Sequence, residues 1–216
     1  MEKTNDGASL SFGDASALVA ALARIIGEAP TGQQVLAFAA VVGELGDEVP
    51  GCKRMKGHFA AVQDCPEEQV VQDLAVDWTL AFRGVNPGTG PCPPYAGAWL
   101  AADAVGVDVM MAINSRYVEK GLGVGGGKLN RMDYLGVELE FVAYLLEQCA
   151  AVAASEQRCA MAAEAATFVD EYILSWLPRY RADVEAKCKT EFWKGYLELL
   201  EVALQDVSAE CAQLGR

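Results

Sequence analysis

Apolar residues recur every three to four positions along almost the whole chain, and this spacing restricts the possible folds more than any other property of the sequence. One stripe comprises Leu135, Leu139, Val142, Leu146 and Cys149, which would share one face of a helix. No segment shows the sustained alternation of apolar and polar residues that a half-buried strand requires. The sequence therefore predicts an all-α fold of about ten helices.

A proline- and glycine-rich segment interrupts the helical pattern. Residues 85–94 read VNPGTGPCPP, and a helix cannot run through so many helix-breaking residues. The preceding helix should end at Gly84. We therefore expect one helical domain of two packed halves, at about residues 14–84 and 95–212, joined by a hinge loop at 85–94. Because such hinges allow a half to exchange between protomers, we expect mainly a monomer, with a domain-swapped dimer as a minor form.

The composition excludes several classes of partner. A formal net charge of −13 repels the phosphates that dominate protein–nucleic acid affinity and favours a cationic partner. The apolar runs are well short of the roughly 20 residues needed to span a bilayer. The N-terminal residues lack a basic region followed by an apolar one, so no secretory signal is expected. We therefore predict a cytoplasmic protein with no membrane span and no nucleic-acid partner.

Residues that could carry metal, disulfide or nucleophilic chemistry are sparse. The chain has seven cysteines without a C-x-x-C pair, and His58 is its only histidine. This pattern argues against a disulfide framework and against a zinc or iron–sulfur site. A Ser-His-Asp triad would depend on His58 alone. We therefore assign no catalytic residue, no metal ligand and no cofactor.

A glycine cluster at residues 121–127 leaves one enzymatic alternative open. Gly121, Gly123 and Gly126 match the pattern G-x-G-x-x-G, which binds a pyrophosphate when it follows a strand and begins a helix. Here a predicted helix precedes the pattern, so a flexible linker is the expected role. A small nucleotide hydrolase is the alternative, and failure to bind nucleotide tightly would exclude it.

Five sequence patterns follow one another between residues 77 and 193. The first four are DWTLAFRG at 77–84, PPYAGAWL at 93–100, YVEKG at 117–121 and MDYLGVELEF at 132–141. The fifth comprises FVDEYILSW at 168–176, PRY at 178–180 and FW at 192–193. In order and spacing these patterns resemble the TorD/DmsD family of redox-enzyme maturation chaperones, and the resemblance extends over about residues 15–205.

The resemblance implies binding and not catalysis. It implies a cytoplasmic chaperone that binds the twin-arginine signal peptide, the apo-form body, or both, of a molybdopterin oxidoreductase during cofactor loading, before export. Nine residues within the family patterns are expected to bind the signal peptide: Trp78, Phe82, Pro94, Tyr95, Trp99, Asp133, Tyr134, Glu138 and Trp176. Asp133 is the expected partner of the twin arginines. Tyr95, Trp99 and Tyr134 are expected to line one cleft with it, and Glu138 should lie one helical turn beyond Tyr134.

Four positions depart from the family patterns. Tyr134 and Tyr172 stand where the family has histidine, Gly97 replaces a serine, and Arg131 replaces a proline. These departures indicate a divergent branch.

Two further interpretations stay open. The chain could be an acidic helical adaptor or assembly factor for a respiratory enzyme subunit that lacks a twin-arginine leader. A neighbouring gene for a molybdoenzyme with such a leader would distinguish the two functions. At the level of the site, Asp133 could act only as a cap or dipole-favoured residue at the start of an apolar helix.

Overall fold

Ten α-helices follow one another along the residues that the computed structural model describes, which are 11–84, 90–101, 106–123 and 131–215. Their bounds are α1 Phe12–Gly27, α2 Gly32–Glu44, α3 Cys52–Ala61, α4 Glu67–Trp78, α5 Ala96–Leu100, α6 Val107–Glu119, α7 Leu135–Ala151, α8 Ser155–Phe168, α9 Leu177–Lys187 and α10 Glu191–Leu214. Two π-helical turns continue α4 and α8, namely π1 Thr79–Arg83 and π2 Val169–Leu174.

The all-α prediction is confirmed. Helices account for 77% of the described residues, which form a single helical domain. Within the described ranges there is no strand, and the β-type pairing found there is an isolated antiparallel bridge between Tyr95 and Tyr134. Among these same residues, no helix combines the length and the apolarity needed to cross a membrane.

Several helix ends lie where the sequence has capping residues. Thr31 and Gln34 form a reciprocal capping box at the start of α2, and the Ser11 side chain accepts a hydrogen bond from the Asp14 N–H at the start of α1. Gly84 follows π1 with a φ of 63°, a left-handed conformation that glycine adopts without steric cost. The predicted end at Gly84 is therefore confirmed.

Two predicted irregular segments lie partly outside the described residues. In the predicted hinge loop, residues 90–94 are described and contain no helix, and residues 85–89 lie outside. In the glycine cluster, residues 121–123 follow α6, and residues 124–127 lie outside. The hinge role of 85–94, the division into two halves and the linker role of the glycine cluster therefore stay predictions.

The hydrophobic core joins helices that are distant in sequence. α1 and α7 pack together more extensively than any other pair of described helices, and α10 contacts α3, α8 and α9. Buried side chains from all of these helices form one hydrophobic cluster. Cys149 and Cys211 are buried in it, where free cysteine behaves as a small apolar residue.

Buried aromatic side chains add hydrogen bonds between helices. The Trp193 indole donates to the Leu74 carbonyl at 2.9 Å, and the Tyr196 hydroxyl donates to the Leu22 carbonyl at 2.9 Å. A buried donor without a partner would cost about 1–3 kcal/mol. These bonds therefore help to align α10 with α4 and α1, and α1 in turn lies against α7, where the candidate site is found.

Candidate functional site

The backbone segments that precede α5 and α7 lie side by side, and we call residues 93–97 and 131–135 the α5–α7 junction. The Ala96 N–H donates to the Asp133 carbonyl at 2.8 Å, and the Leu135 N–H donates to the Pro94 carbonyl at 2.9 Å. Proline at 93 and 94 disfavours helix at this point, so α5 begins only after Tyr95, whose backbone is extended. Two segments 36 positions apart (Gly97 and Asp133) are thus held together.

Asp133 is the buried charge of this junction. Its side chain is 0% exposed, and its carboxylate accepts hydrogen bonds from the Gly97 N–H at 3.1 Å and from Arg131 Nε and Nη2 at 2.9 and 2.8 Å. The capping position of α7 is held by Tyr134, whose side chain makes no capping hydrogen bond. Asp133 therefore binds α5 and Arg131, and it does not act as the cap of α7.

Gly97 allows the close approach of Asp133 to α5. A Cβ atom added to Gly97 would lie 2.8 Å from Asp133 Oδ2 and 2.9 Å from the Gly106 carbonyl oxygen. The Gly106 atom is backbone and has little freedom to move. The space that a serine side chain would occupy at position 97 is therefore filled, which gives a physical reason for the departure from the family pattern.

Tyr134 connects the junction to α1. It is buried, its hydroxyl donates to the Ile26 carbonyl at 2.6 Å, and its ring centroid lies 5.5 Å from that of Tyr95. Burial raises the pKa of the Tyr134 hydroxyl above its ordinary value, so the group stays a neutral donor. The Trp78 indole donates to the same Ile26 carbonyl at 3.1 Å. Two of the predicted site residues, Trp78 and Tyr134, therefore donate hydrogen bonds to one carbonyl in the last turn of α1.

Trp99 forms a half-buried aromatic platform beside the junction. Its ring lies nearly parallel to that of buried Trp176, with centroids 5.8 Å apart and an interplanar angle of 15°. Its indole donates to the Pro93 carbonyl at 3.1 Å. The Arg179 guanidinium lies over the Trp99 ring at 5.6 Å and donates to the Trp99 carbonyl at 3.1 Å. One face of Trp99 is thus covered by Trp176, and Arg179 also packs on its ring.

Glu138 lies one helical turn after Tyr134, as expected from its spacing, and its side chain is fully buried. Neither carboxyl oxygen has a hydrogen-bond partner among the described residues. Burial raises the pKa of Glu138 well above its ordinary value, and the negative charge of Asp133 raises it further. Two acidic residues of the pattern, Asp133 and Glu138, therefore differ: Asp133 is paired with a cation, whereas burial without a partner raises the pKa of Glu138.

An open groove of about 550 Å³ runs between α1 and α7 and reaches the junction at Tyr134. Small residues make room for it, and charged side chains of both signs surround them. The lining residues from α1 and its end are Ser16, Ala20, Ala23, Arg24, Gly27 and Glu28; those from π1 and α7 include Arg83, Gly136, Glu140, Ala143, Tyr144 and Glu147. Tyr134 is the one of the nine predicted residues that lines this groove.

The structure brings several of the predicted residues into neighbouring groups of contacts. Pro94, Tyr95, Asp133 and Tyr134 meet in the junction. Trp99 and Trp176 stack beside it, and Trp78 reaches Tyr134 through the Ile26 carbonyl. Phe82 is buried among the rings of Tyr180, Trp193 and Tyr196, and Tyr180 also contacts Trp99 and Trp176. That these nine residues bind a peptide stays a prediction.

The sequence analysis missed the α1 side of the groove. Ser16, Ala20, Ala23 and Gly27 recur at helical spacing, so they form a stripe of small residues on one face of α1. That stripe could have indicated a surface with room for a ligand or a close helix. Among the described residues, no group of three or more histidine, cysteine or acidic side chains is arranged to hold a metal ion.

Comparison with known proteins gives one family. The model of the nitrate reductase delta subunit family matches residues 48–182, which is more than half of the chain and includes all nine predicted site residues. A search of curated proteins finds no match to this chain.

Proposed function

Since the chain belongs to the nitrate reductase delta subunit family, a TorD-like family of chaperones for molybdoenzyme maturation, we propose that it holds a twin-arginine leader peptide. The leader would belong to a molybdopterin oxidoreductase, and the chaperone would keep the apo-enzyme in the cytoplasm until its cofactor is loaded. This role requires binding alone and no catalytic residue.

The carboxylate of Asp133 carries the proposal, because it already binds a guanidinium group in a two-pronged arrangement. Both oxygens accept from Arg131, at 2.9 and 2.8 Å. The guanidinium carbon lies 5.2 Å from the centre of the Tyr95 ring. Paired hydrogen bonds to a carboxylate are among the strongest in proteins, and an aromatic face adds a cation–π attraction. The junction thus has the chemistry that an arginine of a leader requires.

The α1–α7 groove is a suitable site for the rest of such a peptide. It adjoins the junction at Tyr134, and the small residues on its walls leave room for apolar side chains. An apolar segment would lie in it as a helix in a groove, one of the common modes of peptide recognition. The net charge of −13 would also attract a basic leader over longer distances.

Titration calorimetry with two synthetic peptides tests the proposal. One peptide carries two adjacent arginines followed by an apolar segment, and the other carries two glutamines in their place. We expect the diarginine peptide to bind more tightly. We expect Asp133→Asn to weaken its binding by about 1–3 kcal/mol, the scale of a lost hydrogen bond to a charged group. Added salt should weaken binding to the wild type more than to the variant.

A matched control guards against a general loss of charge or stability. Asp64→Asn removes one exposed carboxylate from the α3–α4 connection and should leave the affinity unchanged. Thermal unfolding of each variant should show that the titrations are made on folded protein. Equal affinity of the wild type for the diarginine and diglutamine peptides would contradict the proposal.

The family match also allows a second candidate, because the family is described as a nitrate reductase subunit. Under this alternative the chain is an assembly factor for a respiratory enzyme subunit without a twin-arginine leader. The test uses an apo catalytic subunit from which the residues preceding the first folded domain have been removed. Binding of this shortened subunit, with no binding of the diarginine peptide, would support this alternative over the first.

A further inference from the structure

We propose that Arg131 is an internal occupant of the guanidinium site at the α5–α7 junction, and that it must leave before an arginine of a partner can bind Asp133. The inference rests on the proposed function, which needs an arginine from outside at this site. It adds a mode of regulation of that site: the Arg131 side chain competes with the arginine of the partner for Asp133.

The contacts of Arg131 are those expected of a bound arginine ligand. Nε and Nη2 bind separate oxygens of Asp133, and the guanidinium lies over the ring of Tyr95. The Arg131 side chain is 40% exposed, whereas that of Asp133 is 0% exposed. Arg131 is therefore the outer partner of the pair, in contact with solvent, and Asp133 is the buried one.

Asp133 has an anchor that does not depend on Arg131. The Gly97 N–H donates to Asp133 Oδ2 at 3.1 Å, and the Asp133 carbonyl is bound by Ala96. The carboxylate should therefore keep its position when one guanidinium replaces another. The site is built into the backbone pairing of α5 and α7, and the arginine side chain is its exchangeable component.

Exchange of one guanidinium for another avoids the main energetic barrier to opening this pair. A buried charge left without a partner costs several kcal/mol, but an incoming arginine supplies both hydrogen bonds and the contact with Tyr95. Arg131 can be hydrated once displaced, because 40% of its side chain is already exposed. Only the molecules in which Arg131 has left Asp133 can bind the partner. The apparent affinity for the partner therefore falls in proportion to the fraction of such molecules.

Arg131→Gln should therefore increase the affinity for the diarginine peptide, by about tenfold or more, the scale of a charge-assisted hydrogen bond. Its affinity for the diglutamine peptide should not change, because that peptide brings no guanidinium. Arg131→Lys should fall between wild type and Arg131→Gln, since an ammonium keeps the charge but not the two-pronged geometry. The measurement is the same calorimetric titration, at one fixed salt concentration.

Arg181→Gln is the matched control for Arg131→Gln. It changes the net charge equally and also separates an arginine from a carboxylate, because Arg181 Nε donates to Glu201 at 2.6 Å between α9 and α10. It leaves the junction intact. Its affinity for the diarginine peptide should therefore rise only by the small amount that the loss of one positive charge anywhere on the surface would cause.

A second measurement does not depend on the leader. We expect millimolar N-methylguanidinium to raise the Tm of Arg131→Gln more than methylammonium does at the same concentration. The reason is that the guanidinium group can occupy the position vacated by the Arg131 side chain. The wild type should show no such difference, since Arg131 fills the site.

The outcomes separate this inference from the proposed function. Equal or weaker binding of the diarginine peptide by Arg131→Gln, without rescue by N-methylguanidinium, overturns the inference. The proposed function then still stands if the wild type prefers the diarginine peptide. If wild type shows no preference and Arg131→Gln does, occupation of the guanidinium site by Arg131 is supported, and the proposed binding of a leader by the native protein is contradicted. If neither protein shows a preference, both proposals fail.

Discussion

Phe82→Ala should lower the free energy of unfolding by about 3–5 kcal/mol, the usual effect of removing a buried phenylalanine ring. Phe82 is 0% exposed on π1. Its ring packs edge-on against Tyr180, Trp193 and Tyr196, with centroids 6.2, 5.1 and 6.1 Å away. The substitution would leave a cavity among three large rings that cannot easily close. Urea unfolding followed by tryptophan fluorescence measures the effect.

The same variant tests whether Phe82 touches a ligand. Val76→Ala is the control: Val76 is 59% exposed on α4, the helix that π1 continues, and its replacement should change stability by no more than about 0.5 kcal/mol. A Phe82→Ala protein of near wild-type stability that loses affinity for the diarginine peptide would contradict the structural role. It would support the direct contact that the resemblance implies.

Glu138→Gln should remove a dependence of stability on pH. In the native protein, burial and the nearby charge of Asp133 raise the pKa of Glu138 well above its ordinary value. An unfolded glutamate titrates near pH 4.3. Above that pH the native state retains a proton that the unfolded state has lost, so the wild type loses stability as pH rises. The loss reaches about 1.4 kcal/mol per pH unit until Glu138 ionises in the native state.

The glutamine variant isolates this ionisation, because its amide is as buried and as poorly partnered as the protonated acid that it replaces. We expect similar stability of the two proteins at pH 4, and a growing advantage of Glu138→Gln towards pH 8. Urea unfolding at a series of pH values gives the difference. Glu147→Gln, an exposed change on the same helix, should follow the wild-type curve. Parallel curves for wild type and Glu138→Gln would mean that Glu138 is ionised in the folded protein.

The fold class was predictable because helical periodicity is a local property. The stripe from Leu135 to Cys149 is buried along α7, and Gly84 ends π1 as expected. Burial of an apolar face on a helix depends on spacing along the chain, and end signals act within one turn. Neither depends on knowing which helix packs against which. The helical fold class, the buried face of α7 and the helix end at Gly84 could therefore be derived from the sequence alone.

The π turns and the extended segment before α7 could not be predicted in this way. Periodicity continued through Phe168 into π2, where the backbone changes its hydrogen-bond spacing without any breaker residue. The apolar helix was expected to begin near Asp133, yet residues 131–134 are extended or turning and pair with the segment before α5. That pairing depends on the carbonyl of Pro94 and the N–H of Leu135, which are adjacent only in the folded chain.

The residue types of the candidate site were readable from the sequence, but their environments were not. The family patterns singled out Asp133 and Glu138, and no local pattern could have distinguished them: both are acidic and lie within one segment. Arg131 is a local partner of Asp133, two positions away, but only tertiary structure supplies the Gly97 N–H to Asp133 and buries Glu138 without a partner. It also brings the small residues of α1 against α7 to form the groove. Spacing determines which face of each helix is buried, whereas hydrogen bonds, burial and pKa depend on long-range partners, and those exist only after the helices have packed.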